Sequence, residues 1–210
     1  MTPRPLLIAF GLLAFAAPAA WAQADPDGAR AALGVVQVQD RVLGRTDAPV
    51  TVIEYASFTC PHCAAWHRDV LPALKARFID TGQVRLVFRD LPTSPQGLSV
   101  PAAAMARCAA PETYFEVAQA LMDGQAALRA GGDPNAWMSQ AAARAGRPVA
   151  ELQACMNDPA TQSTLNAGVE AAVAGGVTGT PMFLVNGRLA EDSSLEGLSN
   201  MIAGAFPAAR

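Results

Sequence analysis

The stretch "EYASFTCPHCAAWH", residues 54–67, decides how this 210-residue chain is read. It sets Cys60 and Cys63 either side of Pro61 and His62. Ahead of it, "DAPVTVIEYAS" is punctuated by Pro49 and then carries Val50, Val52, Ile53 and Tyr55, a β-branched and aromatic run that predicts a strand. Pro61 suits the first turn of a helix, where its missing N–H costs no hydrogen bond. Beyond it Trp66, Val70, Leu71, Leu74 and Phe78 recur at three- and four-residue spacing, the mark of a helix with one apolar stripe. The cysteine pair therefore stands at a strand-to-helix turn.

Working outward, Pro72 is expected to kink or divide that helix and Gly82 to end it. "VRLVF" (84–88) reads as a second strand, and "VVQV" (35–38) as a short edge strand. From about Ser99 to Gly175 the chain is Ala-rich, and Asp133-Pro134 and Asp158-Pro159 each combine an N-cap with a first-turn proline. Met182 to Val185 is a short apolar strand, and Asn186-Gly187 signals a hairpin. Ser193 with Glu196 suggests a capping box for a last helix over roughly Ser194 to Phe206. This order implies the α/β class: a thioredoxin-like fold over 45–210, interrupted by an inserted all-helical domain at about 96–175.

The chain opens "MTPRPLLIAFGLLAFAAPAAWAQADPD", in which Arg4 precedes an apolar run from Leu6 to Ala17. That run is short of the roughly 20 residues needed to cross a bilayer. Ala20-Trp21-Ala22 and Ala22-Gln23-Ala24 both fit a cleavage pattern. Residues 1–22 are therefore expected to be a secretory signal peptide and 23–44 a leader, which places the mature chain outside the cytoplasm, in the periplasm. With 15 Lys and Arg against 18 Asp and Glu, and no basic cluster, nothing points to nucleic acid. Export lets disulfides persist. Four cysteines allow three pairings, and the closeness of Cys60 to Cys63 leaves Cys108 for Cys155, expected to be a structural bridge.

A thiolate, not a thiol, attacks disulfides. Cys60 opens the helix, where the backbone dipole and unpaired N–H groups favour a negative sulfur. It is expected to be the attacking sulfur and Cys63, one turn inside, the resolving one. His62 can stabilise the Cys60 thiolate by hydrogen bond or positive charge. Glu54, in the strand before the loop, is a candidate proton acceptor for Cys63. A zinc site would need two more ligands. His67 is one candidate, but it reads as a surface residue of the helix, and Cys108 and Cys155 lack Cys-x-x-Cys partners; no metal is expected.

"CPHC" at a strand-to-helix turn, with "GTP" before "MFLVNG" late in the chain, resembles the DsbA family of exported thiol-disulfide oxidoreductases over about 45–206. The resemblance implies that Thr180-Pro181 is a cis bond facing Cys60, and that the Thr180 backbone pairs with an extended substrate. It also implies unfolded exported proteins as substrates and a membrane, quinone-linked partner of the DsbB type that restores the disulfide. No cofactor beyond the Cys60–Cys63 disulfide and a monomeric state are expected. One departure concerns direction: the best-known oxidases carry Val before the cis-proline, whereas Thr180 looks more like reductase or isomerase members. Two alternatives therefore stand beside the oxidase: a periplasmic isomerase or reductase, and a non-catalytic metal-binding module.

Overall fold

The computed structural model describes residues 26–206. The expected signal peptide and both cleavage patterns lie outside the described residues. Among the described residues, five strands form one sheet: β1 (Arg41–Leu43), β2 (Val50–Ala56), β3 (Val84–Asp90), β4 (Met182–Val185) and β5 (Arg188–Ala190). Their order is β1-β3-β2-β4-β5, with β2 and β3 parallel and the other pairs antiparallel. Every residue of β2 is buried, as expected of a central strand covered on both faces. The strand's period of two sends Val50 and Val52 to one face and Ile53 and Tyr55 to the other, each into its own apolar cluster.

The helices are, in chain order, α1 (Pro26–Ala32), α2 (Pro61–Asp69), α3 (Leu71–Leu74), α4 (Gln96–Cys108) and α5 (Tyr114–Arg129). They continue with α6 (Pro134–Ala142), α7 (Val149–Met156), α8 (Pro159–Ala174) and α9 (Leu195–Ala205). Pro72 divides the helix after the cysteine pair: α2 stops at Asp69, α3 begins at Leu71, and one π-helical turn follows at Lys75–Ile79. Helices α4 to α8 all fall between β3 and β4, so the chain is a thioredoxin-like sheet with a helical insertion.

Two local expectations are corrected. Residues 35–38 form no strand; Val35 and Val38 are 57% and 105% exposed and bury nothing. The Val35 carbonyl is held by the Arg89 guanidinium, and the edge strand begins at Arg41, opposite Phe88. The last helix is capped not by Ser193 but by Ser194, whose Oγ accepts from the Gly197 N–H. The Ser193 carbonyl instead accepts from the Trp66 indole at 2.9 Å.

The insertion is sealed to the sheet. Ala102, Ala103, Ala104 and Ala106 of α4 are buried in one apolar cluster with Phe58, Cys63 and Phe88, so the redox turn and the insertion share a core. Small side chains let the helices approach closely. A bond between Cys108 and Cys155 ties α4 to α7 across 47 residues of chain. Closing a loop of that length removes unfolded-chain entropy worth about 4 kcal/mol in the simple model. Replacing both with alanine is expected to lower the unfolding free energy by about 2–4 kcal/mol in a urea titration, with far-ultraviolet dichroism of the folded state unchanged.

Candidate active site

Cys60 is the N-cap of α2, extended at φ −79° and ψ 119°, and its carbonyl accepts the first helical bond from the Ala64 N–H at 3.2 Å. Its Sγ lies 3.3 Å from the Thr180 carbonyl oxygen, which it can reach as a donor when protonated. The Thr180–Pro181 bond is cis. Pro61 and His62 are exposed at the helix start, whereas Cys63 is wholly buried. His62, Trp66, Thr180 and Pro181 line one open groove of about 600 Å³ whose far side is Asp192, Ser193 and Ser194.

The two thiols are in their reduced form and are driven apart in acidity. The Cys63 side chain, acting as donor, lowers Cys60 from 9.0 to about 5. Burial opposes that shift, and the Thr180 side chain and the backbone N–H groups of Cys63 and His62 add to it. His62 thus acts on Cys60 through its backbone. Cys63 is pushed well above its ordinary value: it gives its proton to the hydrogen bond with Cys60, it is desolvated, and the charge of Glu54 repels a second anion.

Glu54 has no exposed surface and sits mid-strand in β2, not on an edge. His67 answers it. The expectation that His67 is a surface residue is overturned: it is 2% exposed, and its Nε2 lies 3.1 and 3.0 Å from the two Glu54 oxygens, an N–H donating to a carboxylate. An uncompensated carboxylate in the sheet would be costly, and His67 of α2 supplies it with a hydrogen-bonded partner. The imidazole plane is fixed by Trp66 and Phe88, whose ring centroids stand 5.4 and 5.9 Å away at steep angles. Sequence reasoning also missed Gln125 of α5. Its Nε2 donates to the Phe58 and Cys60 carbonyls at 2.8 and 3.1 Å, so the insertion grips the turn that carries the nucleophile. Gln125 follows Val117, Ala118, Leu121 and Met122 at helical spacing, so it is a polar residue in an apolar stripe, and that was the available signal.

A family model described as thioredoxin matches residues 37–203. The chain belongs to the thioredoxin family. Within that family it is DsbA-like. It is similar to a Rickettsia prowazekii protein named as a protein-disulfide oxidoreductase, 32% identical over 165 residues, a match covering 78% of this chain and 60% of that protein. The chain thus spans about three-fifths of the length of such curated relatives. Among solved structures it resembles Wolbachia pipientis alpha-DsbA1, at 26% identity and a TM-score of 0.71, covering 84% of this chain and 95% of that one. BdbD from Bacillus subtilis, in its oxidised form, shares the fold at 21% identity and a TM-score of 0.70, covering 80% and 92%.

In this thioredoxin-family chain, ultraviolet titration of the reduced protein should show one thiolate appearing with a midpoint near 5. The ionised sulfur is present above that midpoint and lost as pH falls through it. Cys63→Ala removes the largest cause and should raise the midpoint by at least about one unit; an unmoved midpoint would refute the sulfur-to-sulfur origin.

Proposed function

We propose that the chain is an exported thiol-disulfide oxidoreductase that hands the Cys60–Cys63 disulfide to newly exported proteins. A client thiolate attacks Cys60 Sγ, the Cys60–Cys63 bond breaks, and Cys63 leaves as a thiolate that Glu54 helps to protonate. The client's second thiolate then attacks its own sulfur in the mixed disulfide and releases the Cys60 thiolate. Two electrons pass from client to protein. The Thr180 backbone edge beside the cis-proline would pair with the client's extended chain, in the groove already described. Reoxidation would fall to a membrane, quinone-linked partner of the DsbB type, and the periplasm is the compartment in which such exchange persists.

The observation that carries this reading is the split in acidity between the two sulfurs. A thiol titrating at about 5 is two units past its midpoint at pH 7, whereas one at 9.0 is hardly ionised. Two units are worth about 3 kcal/mol to the reduced form, or about 60 mV for a two-electron couple. The reduced form is favoured, so the disulfide is readily given away. The isomerase or reductase reading retains one observation, Thr180 before the cis-proline. The metal-binding reading would have to use His67 through its buried Nδ1, since Nε2 faces Glu54.

Equilibration with glutathione buffers tests the direction. The expected potential lies at least about 60 mV above thioredoxin's value of about −270 mV; a value at or below thioredoxin's overturns the oxidase reading. Glu54→Gln should leave the thiolate midpoint of Cys60 near 5 while slowing closure of the Cys60–Cys63 bond on the order of a hundredfold, as loss of a positioned base does.

A further inference from the structure

We propose that the cavity between α1, α8 and the end of β3 binds a small amphipathic carboxylate, held at its charged end by Arg107 and along its apolar body by α8. The cavity measures about 660 Å³, within the range of small-molecule sites. None of the residues that line it lines the groove at Cys60. Two glycines show its shape. Gly168 of α8 and Gly175, its C-cap, are seven residues or about two turns apart, and so share one face of the helix. A side chain at Gly175 would strike Leu33, whose Cδ2 stands 2.6 Å from where the added Cβ would lie. One at Gly168 would meet nothing within 4 Å. The chain leaving α1 therefore touches α8 at Leu33, and the two helices part ahead of that contact. The gap is walled by small apolar side chains, Ala29 and Ala32 of α1 and Ala167 and Ala171 of α8.

Arg107 builds the charged end. Its Nε donates to Asp90 Oδ2 at 2.6 Å, whereas its two Nη atoms keep exposed surface and donate to nothing among the described residues. The side chain is 14% exposed and lines the cavity. The neighbouring Cys108 Sγ lies 3.9 Å from Thr161 Oγ1, which sets Arg107 beside the start of α8, at the other end of that helix from Leu33. The charge here is unbalanced. Arg89 is paired with Asp40 at 2.7 Å, and Arg107 with Asp90. Arg41 has no carboxylate partner of its own among the described residues. Its Nη2 donates to the Arg107 carbonyl at 3.0 Å, its guanidinium stands over the Tyr114 ring, and its charge is felt by Asp90. Three guanidinium groups, of Arg41, Arg89 and Arg107, thus meet two carboxylates, of Asp40 and Asp90, with one positive charge in excess. One surplus charge and one free pair of Nη donors suit a monoanion with two acceptor oxygens in a plane, which is a carboxylate. A phosphate dianion would bring one charge too many. A wholly polar anion would leave the alanine walls against water, so the body of the ligand is apolar. A molecule held in this way joins α1 to α8 and, through Arg107, to α4.

Calorimetric titration of the oxidised full chain with octanoate tests the site, with octanamide as the neutral probe of the same apolar body. Octanoate should bind saturably and at least about tenfold more tightly than octanamide, as hydrogen bonds to a charged group require. Arg107→Gln should lower octanoate to the affinity of octanamide and leave octanamide unchanged. Gly168→Phe sets a ring in the gap from a position where a Cβ meets nothing, so it should fold and should abolish saturable binding of both probes. Far-ultraviolet dichroism checks the fold of each variant. Three results overturn the proposal: no saturable octanoate binding, equal affinity of the unaltered chain for the two probes, or saturable octanoate binding that survives in Gly168→Phe. An unmoved octanoate affinity in folded Arg107→Gln overturns it as well. Should Arg107→Gln fail to fold because Asp90 loses its charged partner, the comparison of the two probes and Gly168→Phe decide the matter without it.

Discussion

A carboxylate with no exposed surface, in the central strand of a sheet, constrains everything around it. Glu54 cannot be left unpaired there, and the partner must come from whatever packs on that face of β2. The helix that does so is α2, and His67, one turn past Cys63, reaches both carboxylate oxygens. The Glu54–His67 pair therefore fixes the rotation of α2 over the sheet. With that rotation fixed, Cys63 is turned inward beside the carboxylate and Cys60 is left at the helix head. The acidity split between the two sulfurs depends on this placement, since Cys63 holds its proton chiefly through its bond to Cys60 and its burial, and with that proton it donates to Cys60.

The insertion completes what the sheet cannot. A helix N-terminus on an open sheet edge would leave Phe58 and the Cys60 carbonyl facing solvent. Here α5 covers them, and Gln125 supplies a donor to the Phe58 carbonyl and a second one, besides the Ala64 N–H, to the Cys60 carbonyl. The apolar cluster that holds Cys63 runs without a break into the Ala-rich face of α4 and on to Trp137, Leu152 and Leu165. The Cys108–Cys155 bond ties α4 to α7 at that cluster, in which Cys108 is buried and against which Cys155 packs.

What could be read in the sequence was local. The strand before the cysteines, the proline that divides the helix, the Asp133 and Asp158 caps and the Asn186-Gly187 turn each depend on a few neighbouring residues. Asp133 and Asp158 accept from the N–H groups of Asn135 and Ala160, and Asn186 and Gly187 take positive φ values of 46° and 78°. The readings that failed turned on distant partners. Ser193 and Ser194 are equally good caps until the Trp66 indole claims the Ser193 carbonyl from 127 residues away. Val35–Val38 resembles a strand until Arg89 captures its backbone. His67 looks like a polar helix residue until β2 places a carboxylate beneath it. It lies four residues after Cys63 and four before Leu71, within the apolar stripe, and a titratable residue there is a sign of a buried partner.

The opposite face of the same two strands carries a second polar network. One residue further along β2 and β3, Tyr55 and Arg89 stand opposite each other in register, and their side chains meet away from the cysteines. Arg89 donates twice to Asp40, to the Leu33 and Val35 carbonyls and to the Tyr55 hydroxyl, so all five of its N–H donors are used. A network so fully satisfied has no low-cost second arrangement, and its role is to clamp the segment after α1 onto the sheet. In the Glu54–His67 pair the imidazole Nδ1 is buried and has no hydrogen-bond partner among the described residues. The two faces of the sheet thus carry polar groups built differently: around Arg89 of β3 every donor is used, whereas the imidazole beside Glu54 of β2 keeps one buried nitrogen without a partner among the described residues.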